Sequence, residues 1–409
     1  MDAAGKAVGG YEKRRMNPPK DRTRTSAIQK KLKEKNSFFS RGAGMDLPLF
    51  FFILILLCIG LVMLFSASFA YCYYNFNNSY YFITRQLIFA IAGVIAMLVI
   101  SMINYDIYHK FAWPVYAVAV LLLGAVLVVG KDVNGAKRWI EIGGFQFQPS
   151  EIAKFALILV FAHMISQRIN QMNTFKKGFL PFMAALAGIA GLIVAEKHLS
   201  ATIIIVLIGV IMMFIGGTRI RYFLILGAIG LGALAVLLLF SGKFGYANSR
   251  IDVWLNPFDP NADRDATWQI QQSLFAIGSG QLLGVGLGQS RQKHLWLPEP
   301  QNDFIFSIVC EELGFVGALV IIILFALLIW RGVYVSLHAK NKFGTMLGLG
   351  ITFQIGLQIV LNICVVTNTI PNTGISLPFF SYGGTALMII LAEMGVLLQI
   401  SRSSNIEKT

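Results

Sequence analysis

Charge is scarce in this chain. Asp, Glu, Lys and Arg make up 13% of 409 residues while 56% are hydrophobic, which excludes the two or three soluble domains that such a length would otherwise suggest. Cysteine is as sparse: Cys58, Cys72, Cys310 and Cys364 stand singly in or near separate apolar runs, without the paired spacing of a disulfide frame or metal site. They read as small buried hydrophobes. The five histidines are scattered too, so nothing points to a zinc or haem protein. The glycines of IGSGQLLGVGLGQ, 277–289, fit neither a Walker loop nor a GxGxxG fingerprint, and read as turns or close backbone packing. No internal repeat or inverted symmetry is evident. No secretory signal is expected, because the first apolar run starts too late and is too long for one.

What is abundant is length of apolar sequence. Runs able to cross a bilayer, which takes about 20 residues, lie near 47–70, 86–103, 112–130, 151–166, 180–196, 200–216, 223–241, 304–330, 344–366 and 385–400. The chain is therefore expected to be all-α and polytopic, with about ten transmembrane helices. The first 45 residues hold twelve Lys or Arg against four acids, and further cations cluster at Arg168, Lys176 and Lys177, at Arg219 and Arg221, and at Arg331, Lys340 and Lys342. Cytoplasmic flanks carry such an excess, so both termini face the cytoplasm. The expected organisation is a flexible basic tail over 1–45, a ten-helix domain over 46–400 with a large external loop over 242–303, and a short tail over 401–409. More than half of the net charge of +14 comes from the first tail. That fits contact with anionic lipid headgroups or a cytoplasmic partner, and no nucleic acid is implied.

Some cations break the orientation rule. Lys131, Lys137, Arg138, Lys154, Arg250, Arg291 and Lys293 fall outside. In KDVNGAKRWIEIGGFQFQPSEIAK, 131–154, Pro149 suits a first helical turn. Glu151 and Lys154 then share a face. Lys154 sits where the helix dipole disfavours a cation, so it forms either a private pair with Glu151 or, with Lys137 and Arg138, an anion site. The segment 367–385, TNTIPNTGISLPFFSYGGT, is either a surface loop or a re-entrant lining.

The carboxylates of LPEPQNDFIFSIVCEELGFVGALVIII, 297–323, are the most demanding feature, since a charge at a membrane centre costs about 2.5–3.5 kcal/mol even on lenient scales. Asp303 marks the outer start of a helix, either as its cap or as a functional acid. Glu311 and Glu312 lie about 12–13 Å deeper and point elsewhere, as paired charge that fixes packing or as part of a path. An external site with one carboxylate and several cations suits a substrate with a lipid tail and phosphate, leaving transport and transfer both open.

Strings along the chain resemble the SEDS proteins (shape, elongation, division and sporulation), which include RodA, FtsW and SpoVE. They are Arg138-Trp139 with Phe147 to Lys154; Arg250, Trp254 and Pro257; Gln271 to Gly280, Gly284, Gly286 and Gly288; Leu297-Pro298-Glu299, Asp303 to Phe306 and Glu311 to Gly314; and Pro371, Gly374, Leu377 to Phe379 and Ser381 to Gly384. The match spans roughly 47–400, and the basic tail and Gln301-Asn302 before the aspartate favour the FtsW/SpoVE branch. His198 departs from the aspartate many relatives have, so no role is carried there. The resemblance implies a peptidoglycan glycosyltransferase that polymerises lipid II at the outer face of the bacterial cytoplasmic membrane, at the septum or in spore cortex synthesis. A class B penicillin-binding protein and other division proteins are its implied partners. Asp303 would be the general base, with Arg138, Glu151, Lys154, Arg250, Lys293 and Ser381 binding substrate. No cofactor is required; a divalent cation could share the diphosphate charge. A lipid II flippase and a non-catalytic scaffold are the rivals.

Overall fold

The computed structural model describes residues 44–133, 136–142, 145–228, 253–259 and 264–404. The order is α1 (Leu47–Phe76), α2 (Tyr81–Ile100), α3 (Asp106–Val129), a small sheet, α4 (Pro149–Arg168), α5 (Leu180–Ala195), α6 (Leu199–Ile215), α7 (Arg264–Ser279), α8 (Ile305–Leu337), α9 (Lys342–Val366) and α10 (Gly384–Ser403). Among the described residues eight helices are long and apolar enough to cross a membrane; α6 is a shorter apolar helix and α7 is not apolar enough. The expected seventh span, 223–241, is helical over 220–228, and its remainder lies outside the described residues, as do the 1–43 and 405–409 parts of the tails.

Local chemistry sets the helix starts. Asp46 caps α1 by accepting from the Leu49 N–H at 2.9 Å, and the same carboxylate takes a two-pronged contact from Arg331 of α8 at 2.7–3.1 Å. Asn341 caps α9 through the Gly344 N–H. Pro149 occupies the first turn of α4. Helices α4, α9 and α10 are buried over most of their length and form the centre, whereas α2 and α3 turn apolar faces outward. Leu121 and Val128 are 71% and 81% exposed, which suits a surface solvated by acyl chains.

The all-α frame carries one small sheet. Three strands, β1 (Lys131–Val133), β2 (Ala136–Ile142) and β3 (Phe145–Phe147), form an antiparallel sheet. The aromatic and β-branched residues Trp139, Ile140 and Ile142 of β2 suit a strand.

Helix α8 is broken at Gly314, whose φ is 69°. The break would strand backbone groups at membrane depth, and the glycine-rich segment satisfies them. Val285 and Gly286 N–H donate to the Glu311 and Glu312 carbonyls at 2.9 and 3.1 Å, and Phe315 and Val316 N–H donate to Gln281 and Leu282 at 2.9 and 3.1 Å. Glycine permits the approach: a Cβ on Gly284 would fall 2.2 Å from the Glu312 oxygen, and one on Gly280 still nearer the Cys310 oxygen.

The two deep glutamates hold this seam together. Glu312 pairs with Lys293 at 2.9 Å and accepts from Ser66 of α1 at 2.7 Å. Glu311 accepts from Ser290 Oγ and the Arg291 N–H. Both are buried and committed to the loop.

Gly288 has a positive φ but open space around its Cβ position, whereas Gly284 has a positive φ and a clash. Gly288→Ala should cost about 1–2 kcal/mol from left-handed strain alone. Gly284→Ala should cost more. Unfolding of the detergent-solubilised variants checks the ranking.

Candidate active site

Three external segments meet around Asp303. It lies in the turn ahead of α8, whose N-cap is Phe304 without a side-chain cap bond, so Asp303 caps nothing. Asn362 of α9, fully buried, donates from one Nδ2 to the Asp303 carbonyl at 2.7 Å and to the Ile375 carbonyl at 2.6 Å. Ser381 Oγ donates to the Asn302 carbonyl at 2.7 Å and accepts from the Leu377 N–H at 2.8 Å, while the Tyr382 N–H donates to Gln301 at 2.8 Å. These bonds staple the 367–383 connection to the 301–303 turn. The connection is re-entrant: the Phe379 carbonyl presses on Gly60, roughly 24 Å along α1 from Phe76 at 1.5 Å per residue.

The Asp303 side chain is partly buried. Its Oδ2 would lie 3.1 Å from a Cβ on Gly374, whose φ is +71°, so glycine leaves the carboxylate room. Burial, and next the nearby Glu299, push the Asp303 pKa up to about 6, with Arg138 opposing. Helix α7 braces this mouth from outside: Ser273 Oγ donates to the Val366 carbonyl at 2.8 Å, and Trp268 donates to the Trp296 carbonyl at 2.7 Å.

The cations come from the sheet and α4. Arg138 on β2 donates to the Lys197 carbonyl at 2.6 Å, and its Nε is buried without a hydrogen-bond partner. Lys154 is 2% exposed and pairs with Glu151 at 2.8 Å. Arg138 and Lys154 both act on His198, which burial above all, then these charges, holds down to about 3. A neutral imidazole therefore faces Gln148 and Ser150. Glu393 of α10, buried and bonded to Gln354 at 2.8 Å, lies in the fields of Lys154 and Glu151.

Asp303, Arg138, Glu151 and Lys154 thus belong to one region joined by Arg138 and the turn at 196–200. Lys293 does not point there freely, because its ammonium contacts Glu312 and Ser66. The Ser381 hydroxyl is engaged by backbone. Arg250 lies outside the described residues. A shallow hollow of about 320 Å³ lined by Ser279–Val285 contains none of these side chains. Among the described residues no three His, Cys, Asp or Glu side chains form a metal-ligating group.

Asn362, Gly374, Glu196, Ser200 and Glu393 have no role in the sequence reading. A signal existed for some: Gln354, Gln358 and Asn362 recur every four residues in an apolar span, which places them on one helix face. Glu393 is a lone acid in another span.

The pattern that defines the cell cycle protein family FtsW/RodA/SpoVE matches residues 47–406. The chain is 42% identical to stage V sporulation protein E of Bacillus subtilis over 88% of its length and 97% of that relative. It is 39% identical to a probable peptidoglycan glycosyltransferase FtsW of Trichlorobacter lovleyi, over 88% and 94%. A chain of a solved peptidoglycan synthase complex, described as coordinating polymerization and crosslinking, superposes with a TM-score of 0.72 at 26% identity, covering 88% of this chain and 98% of that one.

Asn362→Leu would leave the Asp303 and Ile375 carbonyls without their donor, at about 1–3 kcal/mol each if they stay buried. Limited proteolysis should then cut within 367–383 sooner than in the wild type, and an unchanged cleavage rate would show that the amide is not the tie.

Proposed function

Because the chain belongs to the FtsW/RodA/SpoVE family of cell cycle proteins, we infer that it is a peptidoglycan glycosyltransferase, as its relatives are named. It works as a multi-pass protein of the cytoplasmic membrane and polymerises lipid II. The observation that carries the chemistry is the partly buried Asp303 carboxylate standing at the outer mouth with Arg138 in its field.

In this reading Asp303 is the general base. It takes the proton from the acceptor sugar 4-hydroxyl as that oxygen attacks the donor's anomeric carbon, and the bond to undecaprenyl pyrophosphate breaks with inversion. A base works best when its pKa lies near the operating pH, and a carboxyl raised to about 6 is stronger than an ordinary one yet still ionised at neutrality. Arg138 and Lys154 stabilise the departing diphosphate. Glu151 orients Lys154 across 2.8 Å. Ser381 and Lys293 act through the frame, the first by shaping the 377–382 turn and the second by locking the seam at Glu312. Arg250 is kept as a further candidate for the diphosphate. A divalent ion would share that charge.

The partner we propose is a class B penicillin-binding protein that cross-links the new strand, at the division septum or in spore cortex synthesis together with other division proteins. What supports it is the likeness to a chain of a synthase complex. The flippase alternative needs Glu311 and Glu312 along a path, and both are occupied by the 285–293 loop.

Purified protein given labelled lipid II should make glycan chains that vanish in Asp303→Asn. Undiminished polymer would remove the base. The wild-type rate should rise with pH through about 6, as the carboxyl ionises, and a profile flat from pH 5 to 7 would contradict the assignment. Deleting residues 1–40 should leave polymerisation near normal, whereas a scaffold acting through that tail would have no chemistry to retain.

A further inference from the structure

The turn between α5 and α6 carries a buried acid that the proposed mechanism does not use. Glu196 is 2% exposed, and neither of its carboxylate oxygens has a hydrogen-bond partner. Other buried carboxylates are held: Glu151 by Lys154, Glu312 by Lys293, Glu311 by backbone N–H groups. A buried charge left without donors is costly, so an unpartnered one calls for a role.

Its neighbours suggest that role. The next residue, Lys197, is held at φ +55°, and its carbonyl anchors Arg138 Nη2 at 2.6 Å. Arg138 Nε is the complementary orphan, buried and unbonded. Ser200, in the first turn of α6, donates to the Thr373 carbonyl beside Gly374 and Asp303. The turn thus touches both the cation and the segment that carries the base.

We propose that Glu196 is a positioning residue that acts through its turn, whose Lys197 carbonyl holds Arg138 in its unliganded place, and that its unpartnered carboxylate takes up a proton when Arg138 turns its charge to a diphosphate. This rests on the assignment of Arg138 as a diphosphate ligand. The proton comes from solvent and goes onto one Glu196 oxygen, and no covalent bond changes.

The electrostatics agree in sign. Arg138 is the charge that acts on Glu196; the elements tied to its turn also carry Lys137 and Glu141 on β2, Glu151 and Lys154 on α4, Lys197 and His198 in the turn itself, and Glu299 and Asp303 ahead of α8. Burial pushes Glu196 up to about 7, and Arg138 is the charge that opposes the shift. An anion bound to Arg138 cancels that opposition, so the carboxylate binds a proton more tightly in the complex. By linkage, the diphosphate then binds more tightly as pH falls through about 7.

The test is calorimetric binding of a soluble short-chain isoprenyl diphosphate to the purified full-length protein at pH 7, in two buffers of different ionisation enthalpy. A carboxylate half protonated near its pKa and fully protonated in the complex takes up about half a proton. The wild type should therefore take up about half a proton more than Glu196→Gln, a difference in which the ligand's own titration cancels. Glu196→Asp, which keeps the carboxylate, should restore most of it, as a merely structural role would not. Equal proton counts in wild type and Glu196→Gln, with binding retained, would overturn the proposal. If Arg138→Ala binds the diphosphate as tightly as the wild type, the Arg138 assignment itself falls, and the proposal with it.

Discussion

One buried amide ties together the segments that meet at Asp303. Asn362 Nδ2 donates to the carbonyls of Asp303 and Ile375 at 2.7 and 2.6 Å, and so binds the outer start of α8 to a re-entrant connection from a central helix. Without that tie, the glycine-permitted space beside the Asp303 carboxylate would have no fixed wall. The bonds from Ser381 and Tyr382 extend the same junction. A polar group in a membrane interior has no water to fall back on, so each of these bonds also specifies which segments meet.

The same constraint explains how charge is distributed. Buried ions pair closely where they shape the frame, as in Glu151 with Lys154 and Glu312 with Lys293, both under 3 Å. Such pairs offset desolvation more than they add stability. Around the outer mouth the balance is looser: Arg138 influences Asp303, Glu196 and His198 at once while bonding through one nitrogen to a backbone carbonyl. A cation held in this way can exchange partners when an anionic headgroup arrives. Of the external cations that break the orientation rule, Lys293 seals the α8 break and Lys154 pairs with Glu151, while Arg138 lies in the field of Asp303.

Much of the fold was legible because membrane spans announce themselves by length. The expected run 344–366 appears as Lys342–Val366 and 151–166 as Pro149–Arg168. The family resemblance read from the Arg138, Asp303 and Glu311 strings agrees with the match over residues 47–406. The sheet was less visible, since its strands are short and its pairing is tertiary. The α8 break was hidden for a different reason. Gly314 stands in an apolar run where a helical glycine costs only about 1 kcal/mol, so nothing local marks it as broken until the 281–286 backbone is alongside. Asp303 stands out in the sequence by its place ahead of a span, whereas Asn362 takes its place from a carbonyl 59 residues away and Glu196 lies in the field of a cation, Arg138, from a distant strand.

The central claim is that the Asp303 carboxylate and the external cations embrace one substrate from opposite ends. A solved complex with a non-hydrolysable lipid-linked disaccharide diphosphate and an acceptor sugar tests it most directly. The account predicts an Asp303 oxygen within about 2.6–3.2 Å of the acceptor hydroxyl, with the diphosphate against Arg138 and Lys154. A substrate bound with its hydroxyl remote from Asp303, or with its diphosphate on neither cation, would contradict it.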